Sequence, residues 1–388
     1  MISVYKKFLL LSIVLFKICF AVNIQNQEIK QLDKDTNYYI YSSPDFPLVA
    51  HVIIMPINQT DIKLIPAAGQ REEVVSIAKR NNAFISINGS NYRRGGKYNG
   101  NRLNLFYLDK HIYSDLQFIR GSFGWDSKTK VASIDKIFVK IDFSINQETL
   151  PVNQINQPRI PGTSVIYTNV ADKSLLLHTP GKNIIINNTG IIQDITYELP
   201  DSIPHGWYIY QVDKSTLCYI TKNMTVELNY KIQSFENSNT YNNYDFIVGG
   251  AGLLILDGKI ISNQLYNEFS QGSEVVHCND EIAADFHTKK MQEWLIEQRH
   301  PRTAIGITDH NEICIVVVDG RQSNSEGLTL HELASFMKIL SCTTALNIGG
   351  GGCSTLCIGD QVVNKPSANE ERPVSEALCF FRPNSLSD

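Results

Sequence analysis

Ile313-Cys314-Ile315-Val316-Val317-Val318-Asp319-Gly320-Arg321 and Ala345-Leu346-Asn347-Ile348-Gly349-Gly350-Gly351-Gly352-Cys353-Ser354-Thr355 are the stretches that decide the fold. Each is an apolar run that ends abruptly at glycine, the pattern of a buried strand running into a turn. Between them, Thr329 to Leu340 predicts a helix. Thr329 is followed three residues later by Glu332, a capping-box spacing, and Leu330, Leu333, Ala334 and Met337 make an apolar stripe at helical intervals. The order strand, loop, helix, strand, glycine loop puts Asp319 and the Gly349 loop at strand ends, where convergent polar groups usually collect.

Working outward, strands dominate. Tyr38 to Tyr41, Val49 to Pro56, Ile62 to Pro66, Phe84 to Ile87, Phe118 to Trp125 and Lys130 to Phe143 are short runs rich in β-branched and aromatic residues. The middle of the chain adds further candidates between Ser164 and Ile232, with Pro, Asn and Gly at the joints. Glu72 to Asn81 and Ala283 to Gln298 have helical periodicity, the second through Phe286, Met291, Trp294 and Leu295. The expectation is an α+β fold, a mixed twisted sheet with a few packed helices, in one large domain over residues 22–388, with its motif-rich core at 84–383.

At 388 residues and 43% hydrophobic, the chain can bury a sizeable core. Its net charge of -4 arises from acidic and basic residues mixed without long blocks, so nothing in it suggests a nucleic-acid footprint or a polybasic membrane patch. Lys6 and Lys7, the apolar run Phe8 to Phe16, and Ile18-Cys19-Phe20-Ala21 have the layout of a secretory signal peptide cleaved after Ala21. Lys17 breaks the run below the roughly 20 residues that span a bilayer. A secreted or periplasmic protein with no stable membrane span after cleavage is expected. Cys218, Cys278, Cys314, Cys342, Cys353, Cys357 and Cys379 then remain, an odd number, so at least one lacks an intramolecular partner. No C-x-x-C or H-E-x-x-H spacing calls for a metal, and no cofactor is expected.

The four glycines carry the chemistry. Without Cβ atoms, successive residues can turn their N–H groups toward one point, which suits a phosphate, a carboxylate or a developing oxyanion. Arg302, Asp319, Gly320 and Arg321 lie at the edges of neighbouring apolar runs.

Several ordered blocks resemble the phosphodiester glycosidase family. They are Ile87-Asn88-Gly89, Gly249-Gly250-Ala251-Gly252-Leu253-Leu254, Arg302-Thr303-Ala304-Ile305-Gly306, Val318-Asp319-Gly320-Arg321, Ser325-Glu326-Gly327-Leu328-Thr329-Leu330, Asn347 to Thr355, Asn364-Lys365-Pro366-Ser367 and Glu371-Arg372-Pro373-Val374. The resemblance implies cleavage of the glycosidic bond of a sugar held through a phosphodiester, with a carbohydrate or sugar-phosphate partner. It departs at two positions: Gly349 stands where the family usually has aspartate, and Cys353 where it usually has serine.

The leaving group of such a reaction is already acidic, so the site must chiefly hold the phosphate and place a carboxylate by the sugar carbon. On that reading Arg302 and Arg321 contact the phosphate, Asp319 is the carboxylate, and Asn88 orients a sugar hydroxyl. Gly89, Thr303, Gly320, Gly349, Gly350, Gly351, Gly352, Cys353 and Ser354 complete the binding surface. Glu326 is the reserve carboxylate, and His300 and His331 are expected to be solvated or capping residues. Each motif also has a plainer reading, since Asn88-Gly89 and Asp319-Gly320 are turn dipeptides. The missing aspartate at 349 predicts weak turnover. The alternatives are a glycan- or phosphate-binding protein that does not turn over, or a hydrolase with Cys353 as nucleophile.

Overall fold

The computed structural model describes residues 23–96, 98–115, 119–178, 180–270, 289–368 and 370–383. The expected signal peptide, Cys278 and the first residues of the expected Ala283 to Gln298 helix lie outside them.

Four sheets and a few helices make up the fold, so the α+β expectation stands. The largest sheet orders its strands Gln25–Gln31, Asn37–Ser42, Ala50–Pro56, Glu312–Val318, Arg302–Thr308, Cys342–Gly350, Leu253–Leu256 and Lys259–Ile260, every neighbour antiparallel. One parallel pairing, of Gln154–Ile155 with Val165–Thr168, occurs in a smaller sheet. Ile313 to Val318 occupies the middle of the large sheet and is buried on both faces, which explains its unbroken apolar run.

Alternation divides that run between two cores. Ile313, Ile315 and Val317 pack with Ile53, Ile305, Ile348, Phe123, Trp125 and Leu378, which come from three sheets. Cys314, Val316 and Val318 face the helix layer, meeting Leu330, Leu333, Ala334, Phe336 and Met337. Fully burying side chains of this size is worth about 1.5–3 kcal/mol each, and this two-sided core holds the strand ends in place.

The helix layer begins where the capping box predicts. Thr329 Oγ1 accepts from the Glu332 N–H at 3.0 Å, the Glu332 carboxylate accepts from the Thr329 N–H at 2.9 Å, and the helix runs Leu330–Ile339. Helices also cover Val74–Asn81, ended by Asn82 in the left-handed region at φ 53°, and Lys289–Glu297. The six described cysteines are all free, four of them buried.

A β-bulge aims the glycine loop. Thr303 pairs with Gly349, but Ala304 pairs with Asn347, so Ile348 is the extra residue. Such a bulge bends its strand and increases its twist, a common device next to binding sites.

Candidate active site

A cavity of about 440 Å³ opens beside this bulge. The glycine loop and Cys353 form one wall, the 88–94 segment a second, and Met291, Trp294 and Leu295 of the Lys289–Glu297 helix a third. Arg93, Arg94, Arg302, Arg321 and Arg372 all line it. Among the described residues, no aspartate or glutamate lines it, and none of the five arginines forms a salt bridge.

Asn88 ends the Ile85–Asn88 strand of a five-stranded sheet and ties three elements together. Its Oδ1 accepts from Thr303 Oγ1 at 2.7 Å and from the Thr355 N–H at 3.2 Å. The loop after it is pinned by Glu376, whose Oε1 accepts from the Ser90 N–H at 2.8 Å and whose Oε2 accepts from Arg102 Nε at 2.9 Å. Gly89 is required by close approach, because a Cβ there would sit 2.5 Å from Glu376 Cγ. This pinned loop delivers Arg93. Its side chain is only 4% exposed, yet Nε and Nη1 have no hydrogen-bond partner. A buried, unpaired guanidinium is costly, several kcal/mol by the usual measure, unless an anion completes it.

Arg321 sits at a turn with φ 61°, a conformation that non-glycine residues rarely take and that costs on the order of 1–3 kcal/mol. Burial, then Arg372 and Arg94, push its pKa down, the mark of like charges held together. Gly351, at φ 66°, lets Arg321 lie against the loop, and a Cβ on Gly352 would fall 2.3 Å from Arg372 Nη2. These glycines bring guanidinium groups against the backbone, a use that their spacing alone did not reveal.

His300 completes the cavity, contrary to its expected role as a solvated or capping residue. Its Nε2 lies 2.9 Å from the Trp294 carbonyl, which can only accept, and its Nδ1 lies 3.3 Å from Arg321 Nη2, which can only donate. The ring is therefore neutral with the proton on Nε2. Burial first, then Arg302, push its pKa down to about 4.

The sequence-predicted residues divide. Asn88, Arg302, Arg321, Gly349, Gly350, Gly351, Gly352 and Cys353 line the cavity, whereas Asp319, Gly89, Thr303, Gly320 and Ser354 do not. Asp319 lies behind the loop, with Oδ1 accepting from Asn364 Nδ2 at 3.0 Å and from the Lys365 N–H at 2.9 Å, and Oδ2 3.5 Å from His51 Nε2. Asn364 in turn donates to the Ser354 carbonyl and accepts from the Leu356 N–H, so Asp319 steadies the far end of the glycine loop. Arg302 is fully buried and donates to the Leu328, Leu295 and Gln298 carbonyls, holding the end of the Lys289–Glu297 helix. Burial pushes its pKa down to about 9, which still leaves it charged at neutral pH. Glu326 is occupied by Arg299 at 2.7 Å, and His331 is buried with Nδ1 2.9 Å from Ser262 Oγ.

Arg93 and Arg94 were not singled out in the sequence, and Arg372 stood only inside the 371–374 family block with no role assigned. The signal was the Arg93-Arg94-Gly95-Gly96 run soon after Asn88-Gly89, and an arginine before Pro373. Glu371 was missed too. It lines an adjoining cavity of about 470 Å³ that shares Arg321, its Oε2 has no partner, and burial pushes its pKa up to about 6.

A phosphodiester glycosidase profile matches residues 181–381, more than half of the chain. The chain belongs to the phosphodiester glycosidase family. Within 102 residues it is 31% identical to the SPbeta prophage-derived uncharacterized protein YomE of Bacillus subtilis, over 26% of this chain and 16% of that protein. It is 24% identical over 144 residues to the Mus musculus N-acetylglucosamine-1-phosphodiester alpha-N-acetylglucosaminidase, over 35% of this chain and 25% of that enzyme. These matches therefore span a quarter or less of the curated relatives' length. A hypothetical protein from Synechocystis shares the fold of this chain with a TM-score of 0.72 at 15% identity, over 93% of this chain and 68% of that one. Among the described residues no helix is long and apolar enough to cross a membrane.

Proposed function

We propose that the cavity takes the phosphate of a sugar phosphodiester and that the chain is a slow, exported hydrolase of its glycosidic bond. The observation that carries this reading is the set of five arginines that line the cavity beside the glycine loop with no described carboxylate there to neutralise them. Arg93, Arg321 and Arg372 hold the anionic phosphate, and as the C1–O bond breaks they stabilise the charge that accumulates on the departing phosphate monoester. Asn88 and the backbone of residues 349–353 orient the sugar side. Asp319 and Arg302 act through others, Asp319 by steadying the loop and Arg302 by holding the helix wall.

Turnover is slow because no described carboxylate lines the cavity to activate water. Losing such a group costs about 10² to 10⁴ in rate. Glu371, its carboxyl pushed up to about 6 in the adjoining cavity, is the acid best suited to proton work there.

That same lack of a lining carboxylate among the described residues favours a second reading, a sugar-phosphate-binding protein that does not turn over. The nucleophilic Cys353 reading has less support. Its Sγ lies 3.4 Å from Tyr92 Oη and 3.9 Å from Arg372 Nη1, and neither can serve as its base while the Tyr92 hydroxyl donates to the Pro373 carbonyl.

Gly349→Asp decides between the first two. A Cβ at 349 would lie 2.9 Å from Asn88 Nδ2 and 3.0 Å from the Gly89 carbonyl, so the loop must give slightly, but φ is not in the left-handed region. Hydrolysis of an activated glycosyl phosphodiester is expected to rise by about tenfold or more. A folded variant as inactive as its parent, with the parent still binding sugar phosphate, would favour the binder.

A further inference from the structure

Among the described cysteines, Cys353 alone is placed on the wall of an unneutralised cationic cavity. Cys314, Cys342, Cys357 and Cys379 are buried, and Cys218 is exposed elsewhere with its Sγ on the Ser215 carbonyl. The Cys353 thiol is half-buried, 3.9 Å from Arg372 Nη1, on a wall that Arg321 also lines. Its surroundings also contain an independent sign of a ligand. Arg93, 4% exposed and lining the same cavity, leaves Nε and Nη1 without a partner. An anion drawn to these arginines is delivered to the one wall that carries a thiol.

We propose that Cys353 is a modification site for small anionic disulfides, and that the mixed disulfide closes the cavity to phosphate ligands. The anionic group of the reagent is held by the arginines while its S–S bond lies against Sγ. The Cys353 thiolate, its proton released to solvent, attacks one sulfur. A Cys353 Sγ–S bond forms, the reagent's S–S bond breaks, and the other half leaves as a thiolate with the electron pair. Cys353 is oxidised and one half of the reagent is reduced, so no further oxidant is needed. The retained anionic half then occupies the arginines, and an exogenous thiol reverses the step by the same exchange.

The test uses the unmodified full chain and two reagents, the anionic dithiobis(nitrobenzoate) and the neutral dithiodipyridine, with the labelled cysteines located by peptide mass mapping. Cys218 is the internal reference. The ratio of anionic to neutral labelling rates at Cys353 is expected to exceed that at Cys218 by about tenfold or more, and to fall as salt is raised. Arg372→Gln should reduce the anionic rate at Cys353 by a larger factor than the neutral rate, so that the ratio falls toward that at Cys218. Calorimetry with inorganic phosphate should show binding lost on labelling and restored by reducing agent, while Cys353→Ser treated with the same reagent binds phosphate as it did untreated. Equal ratios at the two cysteines, a Cys353 that stays unlabelled in the folded chain, or a labelled protein that binds phosphate unchanged would each overturn the proposal. If the unmodified chain binds no phosphate at all, the functional reading above fails, but the labelling ratio still decides the fate of the thiol.

Discussion

On the cavity side of residues 349–353 stand arginines with no described carboxylate beside them; behind the loop stand Asp319 and Glu376 with every oxygen engaged. Asp319 and Glu376 are 3% and 0% exposed, and their oxygens meet Asn364, Lys365, His51, Ser90, Arg102 and Ser375. Arg93, at 4% exposed, meets nothing at two of its nitrogens. Asp319 and Glu376 therefore build the loop, and Arg93 is left for a ligand. A buried polar group that is fully paired serves the fold, whereas one kept unpaired costs stability and points to a partner.

Arg302 is where the comparison is most open to attack, since it is a cavity arginine used for structure. Arg302→Ala strands the Leu328, Leu295 and Gln298 carbonyls. A loss of about 3–5 kcal/mol of unfolding free energy is expected in urea denaturation, at one to three per stranded group with some relief from water. Near-unchanged stability together with lost phosphate affinity would move Arg302 to the ligand side.

His300 measures how strongly the cavity resists more positive charge. The unfolded imidazole takes its proton near 6.5, the native one only near 4, so acidification favours the unfolded chain. Stability tied to His300 is fully present above pH 6.5 and falls between 6.5 and 4, by about 3 kcal/mol at 1.36 per unit. Glu371 works against it in the same window, because its raised pKa near 6 adds stability at low pH that is lost as pH rises from about 4.5 through 6. Unfolding of His300→Gln beside its parent at several pH values isolates the histidine. Parallel curves would mean that neither burial nor the arginines hold the His300 pKa down.

Arg93→Gln is the opposite case to Arg302→Ala. A side chain with two unpaired nitrogens contributes little to folding, so stability should hold or rise slightly. Phosphate affinity should drop by about 1.5–3 kcal/mol, the worth of a hydrogen bond to a charged group, as read by calorimetry. A variant that binds normally would leave the buried guanidinium without a purpose.

Much of this was legible beforehand, for local reasons. The unbroken Ile313 to Val318 run requires burial on both faces, and Thr329 with Glu332 marks a helix start through contacts only three residues apart. The site was half legible. Asp319 and Arg302 stand at strand ends as their runs predict, but which way an end residue points depends on partner strands and on the Ile348 bulge. Alternation along one strand contains neither. Arg93 and Arg372 sit in loops without periodicity, 279 residues apart, and only the tertiary fold brings them to one cavity.

The smallest expected effects separate the two glycines that seat the arginines. Gly351 is at φ 66°, so Gly351→Ala pays a backbone penalty of about 1 kcal/mol, visible as lower stability. Gly352 has no such φ, and the nearest atoms to its Cβ would be the end of the Arg372 side chain, 2.3 Å away at Nη2. That guanidinium is long and flexible, so Gly352→Ala should leave stability within about 0.5 kcal/mol of the parent. Its cost should appear in phosphate affinity instead, through a displaced Arg372. If both variants lose stability and neither loses affinity, the glycines serve the turn alone and Arg372 does not hold the ligand. If Gly352→Ala alone weakens binding, the glycine run is there to let a cation approach the backbone, and the cavity side of the loop is the functional one.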